Sequence, residues 1–178
     1  DLYISYLTEV GWSRPENLGE PVNTESWESA PSLSPDKRDL YFTSSRPGGY
    51  GGSDIYVSHR LNDGSFGEPE NLGPTVNTTG NESSPFIHAD NQTLFFTSNG
   101  HTGYGGDDLF VSRKGPKGLW SEATNLGYPI NTIENEGSLV VAADGKTAYY
   151  ASDRNDGYGE LDLYTFELRE EKIGRAHV

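Results

Sequence analysis

The tetrapeptide Asp54-Ile55-Tyr56-Val57 decides the fold of this chain, because it recurs at nearly even spacing. The other copies start at positions 1, 108 and 162, and they read Asp1-Leu2-Tyr3-Ile4, Asp108-Leu109-Phe110-Val111 and Asp162-Leu163-Tyr164-Thr165. Two further motifs keep the same 54-residue step: Asn-Leu-Gly at 17–19, 71–73 and 125–127, and Val/Ile-Asn-Thr at 22–24, 76–78 and 130–132. A fixed period of this size indicates a solenoid, a propeller or an array, in which each unit buries its apolar face on its neighbours.

The unit around this tetrapeptide contains four short strand-like segments. Residues 40–44 are rich in β-formers, and residues 54–61 alternate apolar and polar side chains as a half-buried strand does. Residues 28–34 and 66–72 supply a first strand and a weaker fourth strand. Four strands without helical periodicity predict an all-β fold, a β-propeller of four-stranded antiparallel blades. A parallel β-helix is the alternative, but its coils are usually shorter and lack the hairpin turns.

Residues 34–44, Ser-Pro-Asp-Lys-Arg-Asp-Leu-Tyr-Phe-Thr-Ser, followed by Gly-Gly-Ser-Asp-Ile-Tyr-Val at 51–57, resemble the WD-like β-propeller repeat of Pro-Asp type. Later copies carry Ala-Asp in place of Pro-Asp, at 89–90 and 143–144. The resemblance predicts blades at 28–81 and 82–135, an incomplete blade at 136–169, and the outer part of a preceding blade with its connection at 1–27. We therefore expect a fragment of a larger propeller.

The last residues break the repeat. We predict a separate tail at 170–178, which is non-native from about residue 172. Residues 172–178, Lys-Ile-Gly-Arg-Ala-His-Val, resemble the translation of a sequencing-adapter oligonucleotide. An expression-vector scar and a diverged natural tail are the alternatives, and the segment is excluded from the fold argument.

Composition excludes several classes of function. A net charge of −14 repels phosphate backbones, which argues against nucleic-acid binding. Cysteine is absent, so the chain has neither a disulfide framework nor a thiol nucleophile. No apolar run approaches the ~20 residues that span a bilayer, so this segment is not expected to insert directly into a membrane.

Acidic residues that occur in every unit are interpreted as structural, because a catalytic residue is expected only once in a repeat array. A carboxylate at the start of a strand accepts backbone N–H bonds from the preceding turn. The repeated positions are Asp54, Asp108, Asp162, Glu28, Glu82 and Glu136.

The Gly-rich loops 49–54 and 103–108 suggest calcium as an alternative to ordinary turn chemistry. Calcium takes six to eight oxygen ligands, whereas each loop offers only one or two acids. No histidine pair has the spacing of a zinc site, and no Gly-x-Ser-x-Gly elbow or phosphate loop occurs. We predict no catalytic residue, no metal site and no cofactor.

Loop residues that differ between units are the binding candidates, since the blade does not require them. Aromatic and arginine side chains at such positions are typical recognition anchors, although variable solvated loops are the alternative. The candidates are Trp27, Arg46, Asn99, His101, Asp153 and Arg154.

Such repeats look like those of OmpA-family envelope proteins, some of which resemble periplasmic components of type IX secretion and gliding. The resemblance implies a non-catalytic scaffold in the periplasm or at the outer membrane of a Gram-negative bacterium, with a protein or other envelope component as partner. The alternatives are the accessory propeller of a prolyl-oligopeptidase-like peptidase and a TolB-like periplasmic propeller. Function has to be argued from a site, and the sequence shows no catalytic one.

Overall fold

The computed structural model describes residues 1–168, and over these residues the protein is all-β. The predicted tail at 170–178 lies outside the described residues. Within the described range, no helix has the length and apolar character needed to cross a membrane.

Two complete four-stranded antiparallel sheets form the centre of the structure. The first has the order β5-β6-β7-β8 and the second β9-β10-β11-β12. Their strands are β5 (Glu28–Leu33), β6 (Asp39–Ser44), β7 (Asp54–His59), β8 (Glu70–Asn71), β9 (Glu82–Ile87), β10 (Thr93–Ser98), β11 (Asp108–Arg113) and β12 (Thr124–Asn125). The prediction of four-stranded antiparallel blades is confirmed.

Shorter sheets flank the two complete ones. A three-stranded sheet follows them, made of β13 (Glu136–Val141), β14 (Thr147–Ser152) and β15 (Asp162–Glu167). Two two-stranded sheets precede the complete ones. In these pairs β1 (Tyr3–Ile4) pairs with β4 (Glu16–Asn17), and β2 (Leu7–Thr8) pairs with β3 (Gly11–Trp12).

The outer strand of the first complete sheet is shorter than the sequence predicts. Instead of spanning 66–72, it consists of β8 and an isolated bridge between Arg60 and Phe66. The segment between them reads Gly-Glu-Pro, and all three residue types are depleted in strands. Pro69 also lacks the N–H that a ladder hydrogen bond needs. The pairing at this edge is therefore interrupted.

Each complete sheet is apolar on both faces. The prediction of a half-buried third strand at 54–61 is therefore wrong, because Ile55, Tyr56 and Val57 are all buried between neighbouring layers. In β6, Phe42 packs with Val22 from the preceding connection, whereas Tyr41 on the opposite face packs towards the second sheet. In β10, Phe96 packs towards the first sheet and Phe95 towards the third. The core is therefore a series of apolar layers between successive sheets, as in the face-to-face blades of a propeller.

The first strand of the three-stranded sheet and of both four-stranded sheets carries a β-bulge at the same repeat position. The backbone φ is 48° at Ala30, 51° at Ser84 and 46° at Ser138. This left-handed conformation costs a non-glycine residue roughly 1–2 kcal/mol. Because the bulge recurs in all three sheets, we attribute it to blade geometry, since a bulge bends and twists its strand.

The Gly-rich loop between the second and third strands contacts the connection to the next sheet. Gly52 donates its N–H to the Gly80 carbonyl at 2.9 Å. A Cβ atom on Gly51 would overlap that carbonyl oxygen, and one on Gly105 would overlap the Ile133 carbonyl. Glycine is needed here because two backbones approach each other closely.

The equivalent glycines Gly105 and Gly159 provide a matched pair of variants. Gly105→Ala is expected to lower the free energy of unfolding by roughly 1–3 kcal/mol, because the new methyl group forces the loop away from Ile133. Gly159→Ala is expected to be neutral or slightly stabilising, since nothing lies within 4 Å of its Cβ position. Urea unfolding measures the free energy of unfolding of both variants. Equal losses of stability would contradict a close contact between Gly105 and Ile133.

Candidate functional site

A carboxylate at the start of the third strand holds each Gly-rich loop. Asp54, which is 1% exposed, accepts the Tyr50 N–H at 2.6 Å and the Gly51 N–H at 3.2 Å. It also accepts the Asn71 side-chain amide at 3.0 Å. A Cβ atom on Gly49 would overlap the carboxylate, so glycine lets the loop close onto Asp54.

The other two aspartates have the same loop contacts. Asp108 accepts N–H bonds from Tyr104 at 2.6 Å and Gly105 at 3.4 Å, and Asp162 accepts the Tyr158 N–H at 2.6 Å. Burial raises the pKa of Asp108, while its two N–H bonds act in the opposite direction. The same contact in three units makes these aspartates part of the loop framework.

A buried glutamate begins each first strand. Glu82 accepts the Thr78 N–H at 2.7 Å, the Thr78 hydroxyl at 2.7 Å and the Ser98 hydroxyl at 2.5 Å. Glu28 accepts the equivalent bonds from Thr24 and Ser44, and Glu136 accepts them from Thr132 and Ser152. These carboxylates join the incoming connection to the second strand, and their oxygens are occupied by protein donors.

Three of the predicted binding residues contact equivalent backbone carbonyls. Arg46 donates from Nη2 to the Val22 carbonyl at 2.6 Å, and Arg154 donates from Nη2 to the Ile130 carbonyl at 3.0 Å. His101 Nε2 lies 2.7 Å from the carbonyl oxygen of Val76. The side chains therefore have framework partners, although the residue types differ between units.

The same three side chains also lie against aromatic rings. The Arg46 guanidinium carbon is 5.0 Å from the Tyr56 ring centre, and that of Arg154 is 4.4 Å from the Tyr164 ring centre. The His101 ring centre is 5.1 Å from that of Phe110. Both arginines are close to the buried glutamate of their unit, Arg46 at 3.6 Å from Glu28 and Arg154 at 4.0 Å from Glu136.

The remaining binding candidates lie where the connections meet the loops. Asn99 Oδ1 accepts the Asn81 N–H at 2.9 Å, and Asp153 Oδ1 accepts the Asn135 N–H at 2.7 Å. The Asn135 hydrogen bonds lower the pKa of Asp153. Trp27 exposes 57% of its surface, and Asn99 is exposed as well. The role of all six candidates in binding stays a prediction.

An aspartate organises the turn between the first and second strands. Asp144 Oδ1 accepts the Lys146 and Thr147 N–H groups at 2.8 Å and 2.9 Å, and its Oδ2 accepts the Thr147 hydroxyl at 2.6 Å. The hydroxyl bond is the largest of the influences that lower the pKa of Asp144 to about 2. The pKa values of Asp36 and Asp90, at the equivalent positions, are lowered too.

Thr147→Val is expected to raise the pKa of Asp144 from about 2 towards roughly 3.9, its value in an unfolded chain. The two N–H bonds remain, so the rise should be incomplete. A carboxylate with a lowered pKa stabilises the fold above its unfolded pKa, and this stabilisation is lost as the pH falls towards the folded pKa. The variant should therefore lose less stability between about pH 4 and pH 2 than the parent chain does.

An NMR titration of the Asp144 carboxyl carbon measures this shift directly. Asp90 serves as the internal control, because its own partner Thr93 is unchanged in the variant. An unaltered Asp144 pKa would show that the hydroxyl bond does not contribute.

A groove of about 660 Å³ lies between the first short sheets and the first complete sheet. Arg60 lies in this groove with its guanidinium carbon 5.1 Å from the Phe66 ring centre. The polar lining has mixed charge, since it also includes Glu16, Glu20, Asp63 and Glu68. Among residues 1–168, no three His, Asp or Glu side chains form a group that could hold a metal ion.

Together, the stacked antiparallel sheets and their repeated loop contacts define the blade architecture of a β-propeller. No family model matches the chain, and no curated protein matches it. Solved structures therefore provide the comparison.

The chain is similar to a protein assigned as TolB in Agrobacterium tumefaciens, with a TM-score of 0.61 and 16% identity, over 93% of this chain and 57% of the other. A puromycin-hydrolyzing peptidase of Mycobacterium tuberculosis gives a TM-score of 0.57 and 16% identity, over 93% of this chain and 29% of the peptidase. TolB from Acinetobacter baumannii gives 0.51 and 20%, over 78% of this chain and 29% of TolB. The chain spans between 29% and 57% of these proteins, and the likeness is one of fold.

Proposed function

We propose that this chain is a non-catalytic recognition and scaffold module in a bacterial cell envelope, at the periplasmic side or at the outer membrane. The observation that supports the proposal is the state of its buried polar groups. The repeated Asp and Glu carboxylates, which are the residues suited to acid-base chemistry, accept hydrogen bonds from their own loops and strands. Because these carboxylates are engaged within the protein, the exposed loops are the parts of the chain suited to recognising a partner.

The envelope assignment rests on the resemblance of the Pro-Asp repeats to those of OmpA-family proteins, including relatives of type IX secretion components. A protein or another envelope component is the proposed partner, and the proposal requires no cofactor. The accessory propeller of a peptidase and a TolB-like propeller share the fold, so the fold alone does not separate these alternatives.

The sequence of the parent gene tests the proposal directly. An OmpA-like domain encoded downstream would support the envelope scaffold. A Gly-x-Ser-x-Gly elbow in an adjoining α/β-hydrolase domain would support the peptidase alternative and contradict the scaffold.

Affinity capture from an envelope extract of the source bacterium then tests recognition. The immobilised chain should retain an identified envelope component that the same chain, unfolded before coupling, does not retain. Equal recovery on both matrices, or no envelope component at all, would count against the proposal.

A further inference from the structure

Three exposed tyrosines occupy the same position in the three Gly-rich loops. Tyr50, Tyr104 and Tyr158 expose 48%, 55% and 105% of their surface. Their backbone N–H groups bind the loop aspartates, a contact that any residue except proline provides. Within residues 1–168, none of the three rings packs on another aromatic ring or on a cation. Stacking within the blade therefore does not explain why tyrosine recurs there, and a large part of each ring is open to solvent.

The three loops belong to one continuous surface at one end of the sheets. The loop at 46–53 contacts the connection at 72–81, which receives the Asn99 side chain from the following loop. The loop at 100–107 contacts the connection at 126–135 in the same way, through Gly106 and Glu134, and Asp153 continues the series. The connection at 22–27 contacts the first loop in the same way, through Arg46 and Ser45. We name the three Gly-rich loops and these connections the loop surface.

The loop surface positions its tyrosines before any partner arrives. The Tyr50 and Tyr104 N–H groups are held 2.6 Å from buried carboxylate oxygens, and the neighbouring glycines are closely packed. A side chain on such a fixed backbone loses less conformational freedom on binding than one on a mobile loop.

Acids occur at both ends of the sheets, but the cations of the described chain are unequally distributed between the two ends. The two arginines of the loop surface, Arg46 and Arg154, are engaged by carbonyl groups and aromatic rings. The surface also carries the acids Glu25, Asp107, Glu134, Asp153, Asp156 and Glu160. The other Lys and Arg residues of the described chain lie in the connections and strand ends at the opposite end, namely Arg14, Lys37, Arg38, Arg60, Arg113, Lys114, Lys117 and Lys146.

We infer that the loop surface docks a Lys- or Arg-rich segment of a partner protein. Exposed tyrosine rings attract ammonium and guanidinium groups through cation–π interactions, and the surrounding carboxylates complement the same charges. The 54-residue spacing presents one ring per blade, which suits an extended segment with several cations. The inference rests on the proposed function, because it names the partner chemistry of that recognition module.

Fluorescence anisotropy with a labelled deca-lysine peptide tests the inference at 150 mM salt, where long-range attraction is largely screened. Replacing Tyr50, Tyr104 and Tyr158 together by serine leaves the charge unchanged and should weaken binding about 10- to 100-fold. The triple phenylalanine variant keeps the rings and should bind within about twofold of the parent chain.

Two controls separate this surface from the acidity of the chain as a whole. Glu25→Gln, Asp156→Asn and Glu160→Gln on the loop surface should weaken binding, whereas Asp63→Asn, Glu68→Gln and Glu122→Gln at the opposite end should not. Circular dichroism and melting temperatures confirm that each variant is folded. Equal binding by the serine variant, or no binding by the parent chain, would overturn the inference.

Repeating the envelope capture with the triple serine variant distinguishes the two proposals. Equal capture by the parent chain and the variant would uphold the recognition function and reject this surface. Tyrosine-dependent peptide binding without capture of any envelope component would uphold the surface and reject the envelope assignment.

Discussion

Replacing Leu109 by alanine is expected to lower the free energy of unfolding by about 3–5 kcal/mol, whereas the same change at Leu163 should cost less than about 1 kcal/mol. Both residues follow the repeated aspartate and occupy the same strand position. Leu109 is 0% exposed and packs with Leu126 and Leu139 between the second and third sheets, while Leu163 is 83% exposed. The difference measures the apolar layer between sheets, because the residue type and its position within the strand are the same.

Urea unfolding of both variants measures this difference. The unfolding m-value should stay constant, because the same amount of surface is exposed on unfolding. Equal losses at Leu109 and Leu163 would mean that the packing between the second and third sheets contributes nothing at this position.

The fold was predictable because the period is carried by residues that the blade needs. The Asp-aliphatic-aromatic tetrapeptide places a carboxylate at the loop and apolar side chains on both faces of the strand, as at Asp54 and Ile55. The bulge was not predictable, since alanine and serine disfavour the left-handed backbone that Ala30 and Ser84 adopt there. Packing of successive sheets overrides that local preference.

The loop cations show where comparison of repeats fails. Arg46 aligns with Gly100 and Arg154 at 54-residue steps, so this position looks variable. In the structure, His101, one position further along the chain, contacts the Val76 carbonyl, which is equivalent to the carbonyls that the two arginines contact. A Cβ atom on Gly100 would overlap the Thr78 hydroxyl, so the backbone of the second unit lies closer to the connection here than a side chain allows. Conversely, tyrosine recurs at the position of Tyr50 in each loop, and repetition predicts a structural role. The structure shows instead that 48% of Tyr50 is exposed.

Glu82→Ala is expected to lower the free energy of unfolding by about 3–5 kcal/mol, which is a large share of the roughly 5–15 kcal/mol typical of a folded domain. The glutamate is 0% exposed, and its loss leaves the Thr78 N–H, the Thr78 hydroxyl and the Ser98 hydroxyl without their acceptor. Glu82→Gln should cost less, about 1–3 kcal/mol, because the amide keeps one oxygen but turns an NH₂ group towards a donor.

Glu122→Ala is the control, since Glu122 is an exposed acid beside the outer strand of the same sheet and its loss should stay within about 0.5 kcal/mol. A double-mutant cycle of Glu82→Gln with Ser98→Ala isolates the shared hydrogen bond, and its coupling free energy should be about 0.5–3 kcal/mol. Additive losses would show that the two side chains stabilise the sheet independently.

Glu82 has no arginine at the position that Arg46 occupies beside Glu28, because that position is Gly100. The hydroxyl and amide donors must therefore stabilise this buried carboxylate by themselves, which makes it more sensitive to their loss than Glu28.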